Sequence, residues 1–410
     1  MVTAWRWLLA AAVVPLVIGG CTSTAGRMAA GTGSAAPGGH RGLSAVRHVW
    51  VIELENQGYP QSFGTPSADP YLAKTLPRMG ALLENYYAIG HASADNYIAQ
   101  VSGQAPTLAT QADCPFWIPF PGHVVAGPYH QVLGEGCVYP AAVPTLGNQL
   151  SAAGRSWAAY LQDMGNDPVR DNTASTARGP ACGHPATGST DRTERAQRGD
   201  QYAARHDGFT FFRSITANPA FCAAHILSFR PLPGDLARAG VTPALSFLAP
   251  NLCNDGHDAT CADGAPGGLA QADRFLAHWV PVIMAAPAYQ DGGLIVITFD
   301  EGSDAAACCG ESSGLGPSHP NVLLPGKTGP GGGRTGAVLL SPLIRPGTVS
   351  AVQYNHYSLL RTIEDIFGLP HLGDAAMPQV RSFNADIFSL GACRPISACP
   401  GLSALLRHGH

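Results

Sequence analysis

Apolar residues in this chain fall into short unbroken runs that alternate with stretches of helical spacing. Residues 48–53 (HVWVIE), 156–161, 243–248 (PALSFL), 294–299 (LIVITF) and 336–341 are the runs. Several end in polar or acidic residues, the pattern of buried parallel strands whose C-terminal ends open on a site. Between them, residues 70–84 carry Leu72, Leu76, Met79 and Leu83 at helical spacing, and residues 269–284 carry Phe275, Leu276, Trp279 and Ile283 in the same way. Residues 95–101, 145–153 and 357–367 complete the predicted helices, with Gly154 closing the second and Gly368 and Pro370 the third. The alternation predicts an α/β fold, an open and mainly parallel central sheet with helices on both faces. In such sheets ligands bind beyond the C-terminal ends of the strands. Residues 104–144 and 302–334 read as long Gly- and Pro-rich loops, the first pinned by a disulfide, and residues 165–199 as a polar loop.

Composition narrows the class. Over 410 residues, 45% are apolar and only 13% charged, with 49 Gly and 34 Pro, so a globular scaffold with extended irregular loops is expected. A net charge of −4 gives no sign of a nucleic-acid partner. Arg6, a mostly apolar run over 7–18 and Gly19-Gly20-Cys21 read as an export signal over residues 1–20, with Cys21 as the lipidation site. Residues 21–44 then form a flexible tether, 45–392 the main domain and 393–410 a C-terminal tail. The expected location is the cell envelope, lipid-anchored to the outer face of the membrane, or the medium. Setting Cys21 aside from the 11 cysteines leaves an even number, which in an exported chain favours disulfides. Cys253 with Cys261 and Cys393 with Cys399 are near enough in sequence to pair, and the others stay open.

The stretch 90–103, GHASADNYIAQVSG, places a hydroxyl, Ser93, where a loop turns into a helix. Unpaired N–H groups at a helix start favour anions, phosphate included. The alternative is that Ser93 only caps the helix. Glu55 and Asn56 follow one predicted strand and Asp300 and Glu301 another, and these hard oxygen ligands suit a divalent cation such as Mg, Ca, Mn or Zn. A cation touching Ser93 would activate its hydroxyl. Phosphoryl transfer then needs only an in-line nucleophile and donors for the developing charge, a role open to His206, His257 and His356, which are otherwise nitrogen ligands for a second metal. The G-x-S-x-G pattern over 310–314 lacks the strand before and the helix after that a nucleophile elbow requires.

Taken in order, Glu55-Asn56, H-x-S-x-x-N-Y (His91 to Tyr97), P-N-x-x-N-D-x-H-D (Pro250 to Asp258), T-F-D-E (Thr298 to Glu301) and R-P-G-T…H-Y-S-L-L-R-T-I-E (Arg345 to Glu364) resemble the bacterial phosphoesterase family of secreted acid phosphatases and phospholipases C. That family lies within the alkaline-phosphatase-like superfamily. The resemblance implies an alkaline-phosphatase-like sheet and a phosphoserine intermediate at Ser93. It also implies catalytic roles for His206 and His257, phosphate binding by Asn96, Asn254 and His356, and metal ligation by Glu55, Asn56, Ser93, Asp300 and Glu301. The expected activity is an exported, metal-dependent phosphomonoesterase acting on phosphate esters, phospholipids or phosphoinositides included. A phospholipase C-type phosphodiesterase and a non-catalytic surface-binding lipoprotein are the alternatives; for a choline headgroup the sequence offers only Trp117 and Tyr139 as cage aromatics.

Overall fold

Strand β1 (His48–Leu54) lies at the centre of the sheet because its side chains are apolar on both faces up to its last residues. Val49 and Val51 enter one core layer and Trp50, Ile52 and Leu54 the other. The computed structural model describes residues 40–120, 125–126, 128–310 and 331–388. Nine further strands join β1: β2 (Ala81–Leu83), β3 (Trp157–Leu161), β4 (Ala174–Thr176), β5 (Gly179–Ala181), β6 (Ile226–Ser228), β7 (Leu245–Ala249), β8 (Gly293–Phe299), β9 (Ala337–Leu340) and β10 (Thr348–Ser350). Their spatial order is β10-β2-β9-β8-β1-β7-β3-β6-β5-β4. The inner five, β8-β1-β7-β3-β6, are parallel, as expected for runs buried on both faces. Antiparallel pairings flank them: β9 against both β8 and β2, and β5 against both β6 and β4.

The helices covering the sheet include α1 (Ser93–Ser102), α2 (Leu146–Ala152), α3 (Leu269–Ala285) and α4 (His356–Phe367). Ile98 and Val101 of α1 and Leu359, Leu360 and Ile363 of α4 share the core layer of Val49 and Val51, and Phe275, Leu276 and Ile283 of α3 fill the other. The helices on both faces are thus as the pattern predicts. Thr145 caps α2 and Asn355 caps α4, each through a reciprocal capping box, and Gly103 and Gly368 end α1 and α4 in the left-handed region.

Three expectations need correction. The helix over 70–84 stops at Met79, after a wide turn (Tyr71–Thr75) and a short helix (Leu76–Met79). Gly80 passes so near β9 that a Cβ there would lie 2.0 Å from the Leu339 carbonyl oxygen, and Leu83 pairs in β2 instead of riding a helix. The polar loop over 165–199 contains the hairpin β4–β5, which extends the sheet edge. The tether ends sooner than composition suggests, because His40–Leu43 is helical and Leu43 and Val46 are buried.

Disulfides join Cys253 to Cys261, as spacing suggests, and also Cys114 to Cys137, Cys182 to Cys222 and Cys308 to Cys309. Cys21, Cys393, Cys399 and residues 311–330, which hold most of the G-x-S-x-G stretch, lie outside the described residues. Among the described residues no helix is long and apolar enough to cross a membrane.

Glu364 on α4 is buried and accepts the Leu372 N–H at 2.8 Å. Burial pushes its carboxyl up to about 9, with Asp365 adding to the shift. The folded chain therefore keeps this proton after the unfolded chain has lost it, so stability is greatest below the ordinary Glu value and falls as pH rises toward 9. Glu364→Gln retains an oxygen for Leu372 and removes the titration. Its unfolding free energy is expected to exceed that of the parent by about 1 kcal/mol or more at pH 8 and to converge on it near pH 4, in urea titrations at both pH values.

Candidate active site

Sheet register assembles the acidic groups. Leu54 pairs with Phe299 across β1 and β8, and Ile52 with Leu248 across β1 and β7, so the residues that follow these ends emerge side by side. The Glu55 N–H donates to the Asp255 carbonyl at 2.8 Å, and the Asp300 N–H to the Leu54 carbonyl at 2.8 Å. Asn56 takes a left-handed backbone, φ 60°, which turns its N–H onto Asp300 Oδ1 at 2.7 Å; the Glu301 N–H reaches the same oxygen at 2.6 Å. A non-glycine residue in that conformation is uncommon and concentrates at functional positions.

Helix α1 brings the hydroxyl. Glu53 on β1 and Glu55 just past its end are two residues apart and face α1, where Ser93, Tyr97 and Gln100 recur at helical spacing. The two rows interlock. Ser93 Oγ donates to Glu55 Oε2 at 2.8 Å, Tyr97 OH to Glu55 Oε1 at 2.8 Å, and Gln100 Nε2 to Glu53 Oε1 at 2.7 Å. Asn56 Nδ2 also donates to Glu55 Oε2, at 3.1 Å. His206 lies flat on Tyr97, ring centres 5.3 Å apart, with Nε2 3.4 Å from Glu55 Oε1. Ser93 is the first helical residue, the N-cap position belonging to Ala92 with no side-chain cap bond, so its hydroxyl is committed to Glu55 rather than to capping. All ten residues of α1 are buried.

The electrostatics of this cluster favour a positive charge. Glu55, Asp255 and Asp300 are all completely buried. Burial, then the Asp300 and Asp255 charges, push the Glu55 carboxyl well above the usual range, and burial takes Asp255 up to about 8. Asp255 Oδ2 and Asp300 Oδ2 are buried without a hydrogen-bond partner. Such groups are costly unless a cation compensates them. The carboxylates of Glu55 and Asp300, the Asn56 amide oxygen and Ser93 Oγ make an all-oxygen donor set whose chemistry fits a hard divalent cation. Among the described residues, three His, Cys, Asp or Glu ligand atoms come within 4.8 Å of one another at Cys182, His184 and Cys222, where the two sulfurs are already joined to each other.

The structure separates the predicted residues into two groups. Glu55, Asn56, Ser93, Asp300 and His206 converge, and the buried Glu301 adjoins them through its amide. Asn96, Asn254 and His356, for which the resemblance implies phosphate binding, have hydrogen-bond partners within the protein. Asn96 accepts from the Ile89 and Gly90 N–H groups and donates to the Gly90 and Ala92 carbonyls, so both amide hydrogens fasten the loop before Ser93. His356 reaches the Asp300 carbonyl through Nε2 at 2.7 Å and Tyr86 OH through Nδ1 at 3.0 Å, bracing Asp300 from behind. Asn254 is held between Gln162 and Gln271. Sequence reading gave no role to Asp255 or Tyr97, although Tyr97 stands four residues after Ser93, the spacing that puts both on one helix face.

Residues 65–370 match the Phosphoesterase family. The chain belongs to this family. A phosphatidylinositol-3-phosphatase of Mycobacterium tuberculosis is 25% identical over 333 residues, 81% of each chain. A probable acid phosphatase of Kluyveromyces lactis is 24% identical over 330 residues, 80% of this chain and 60% of the relative, so this chain spans less than two thirds of the yeast protein's length. A Vibrio parahaemolyticus protein in the alkaline phosphatase superfamily superposes with a TM-score of 0.45 at 11% identity, over 81% of this chain and 70% of that one.

In this phosphoesterase a cavity of about 500 Å³ is lined by Asp113, Arg195, Arg205, His257 and Asp258 among others, and Asp113 in its wall accepts the Ala94 N–H at the start of α1. His257 is exposed there, its N–H donating to Asp255 Oδ1 at 2.9 Å. The buried His206 ring is held neutral, its pKa pushed far below the ordinary value by burial and then by Arg205 and His257. Trp117 and Tyr139 are buried against Phe211 and Phe212, in the core and away from any aromatic cage.

Proposed function

We propose that the chain is an exported, metal-dependent phosphomonoesterase that hydrolyses phosphate esters through a phosphoserine at Ser93. The observation that carries this reading is the 2.8 Å bond from Ser93 Oγ to a buried carboxylate, Glu55, at the start of a helix. As Oγ bonds to phosphorus, its proton passes to Glu55 Oε2 and the ester oxygen leaves. His257, on the cavity wall, supplies the proton the leaving oxygen needs. Water then attacks the phosphoserine and passes one proton to His257, phosphate departs with the other, and the proton on Glu55 returns to Ser93. Tyr97 and Asn56 hold the Glu55 carboxylate in place throughout. A divalent cation held by Glu55, Asn56, Ser93 and Asp300, with Glu301 beside them, would neutralise the carboxyl cluster and lower the pKa of the Ser93 hydroxyl.

The relatives' names, acid phosphatase and phosphatidylinositol-3-phosphatase, support monoesters as substrates and make phosphoinositide headgroups candidates. The burial of Trp117 and Tyr139 leaves the choline-lipid alternative without its recognition element. Export with a lipid anchor at Cys21 belongs to the same reading. With p-nitrophenyl phosphate the protein is expected to turn over, to stop on chelation and to recover with added divalent metal, while bis-p-nitrophenyl phosphate reacts at least ~10-fold more slowly. Exclusive cleavage of the diester would reverse the ranking, and turnover unaffected by chelators would remove the metal.

A further inference from the structure

The cavity beside Ser93 carries an ion pair that the chemistry above leaves unused. Asp113 follows a single helical turn (Thr110–Ala112), and both Asp113 and Cys114 are left-handed, φ 64° and 52°, in a segment fixed by the Cys114–Cys137 disulfide. Two consecutive non-glycine residues in that region are sterically unfavourable. This backbone aims the Asp113 carboxylate. Oδ1 accepts the Ala94 N–H at 2.9 Å, and Oδ2 lies 3.5 Å from Arg205 Nε. Ala94 directly follows Ser93, so its N–H is one of the unpaired donors at the start of a ten-residue helix.

The two partners of this pair differ in freedom. Arg205 is 8% exposed and its Nη1 donates to the Glu194 carbonyl at 2.9 Å, yet the buried Nε has no hydrogen-bond partner. The Asp113 side chain is 37% exposed and opens on the cavity. A buried guanidinium whose Nε lacks a hydrogen bond therefore faces a helix N-terminus, with the partly exposed Asp113 carboxylate between them. Carboxylate and phosphoryl groups both offer a pair of oxygens to such donors, and a phosphate monoester dianion offers more charge.

We propose that the Ala94 N–H and Arg205 form the seat for two non-bridging oxygens of the substrate phosphoryl group, and that Asp113 fills this seat in the free protein and is displaced when substrate enters. The proposal rests on Ser93 being the nucleophile, which the seat adjoins. Asp113 then acts as an internal competitor. A phosphate dianion gains more from Arg205 than a diester monoanion does, so the pair favours monoesters.

The test is calorimetric titration of the full chain with inorganic phosphate, alongside steady-state hydrolysis of p-nitrophenyl phosphate. Asp113→Ala is expected to bind phosphate ~5-fold or more tighter, and Arg205→Met and Arg205→Lys ~10-fold or more weaker with a matching rise in KM. Thermal midpoints are recorded for all three; Arg205→Lys keeps the buried charge and serves if Arg205→Met does not fold. Unchanged or weaker phosphate binding by Asp113→Ala, or parental binding by Arg205→Lys, overturns the seat. Ser93→Ala in the same titrations separates the two readings. If it is inactive while the affinities stay put, the seat fails alone; if it stays active while they shift as expected, the nucleophile fails alone.

Discussion

Ser93→Ala is expected to lower phosphate-ester hydrolysis by about three orders of magnitude or more while the protein stays folded. No other hydroxyl donates to Glu55 from a position at the start of α1; Tyr97 OH reaches it from one turn further in. The lost bond leaves Glu55 with Tyr97 and Asn56, so the stability cost is about 0.5–1.5 kcal/mol. Asp300→Asn is expected to lose a comparable factor, because Asp300 Oδ1 holds the Asn56 and Glu301 amides and its Oδ2 faces the cluster without a partner. Residues that act as one unit are non-additive, so the double variant should be little slower than either single one. Rate and thermal midpoint measured on the same samples decide the matter. Near-parental turnover by Ser93→Ala would end the nucleophile assignment, and a double variant slower by the product of the single factors would show that the two residues act separately.

The largest stability effect is expected at Arg170, far from the reacting atoms in role. Its guanidinium is buried, with Nη1 2.9 Å from Asp171 Oδ1 and 3.0 Å from Asp200 Oδ2, and Nη2 donating to the Arg195 and Tyr202 carbonyls at 3.0 and 2.9 Å. Asp171 also accepts the Gly165 N–H, and Asp200 the Asp167 N–H. One side chain thus ties together the loops that lead into Arg205 and His206. Arg170→Met strands two buried carboxylates and several carbonyls, at a cost of about 3–5 kcal/mol. A fold of ordinary stability holds about 5–15 kcal/mol in total, so unfolding at several degrees lower temperature and markedly lower urea is expected. A shift below 1 kcal/mol in urea unfolding would mean that water reaches this network readily.

The parallel core of the sheet was legible because a strand buried on both faces leaves an unbroken apolar run, as in residues 294–299. The acids beyond β1 and β8 were legible for the same reason, since polar residues that end such a run have nowhere to go except the strand-end crevice. The partners of Asn96, Asn254 and His356 were not legible, because residue type signals hydrogen-bonding capacity without saying what consumes it; these partners are backbone groups and Tyr86, Gln162 and Gln271. Arg205 and Asp113 were missed because their meeting depends on the Cys114–Cys137 link and on loops that carry no periodicity. The hairpin β4–β5 was missed for a related reason: three-residue strands at a sheet edge are largely exposed on one side and show no apolar pattern.

The sheet order also sets a timetable for synthesis. β1 emerges first among the strands, yet both its neighbours come late: β7 begins at Leu245 and β8 ends at Phe299. Until then the segment HVWVIEL has no sheet partner on either edge. An apolar strand left open on both edges is the kind of segment that pairs with the wrong chain. No N-terminal fragment that stops short of β8 can assemble Glu55 with Asp300. The long wait for both neighbours, rather than final stability, is where this topology exposes the chain to mispairing.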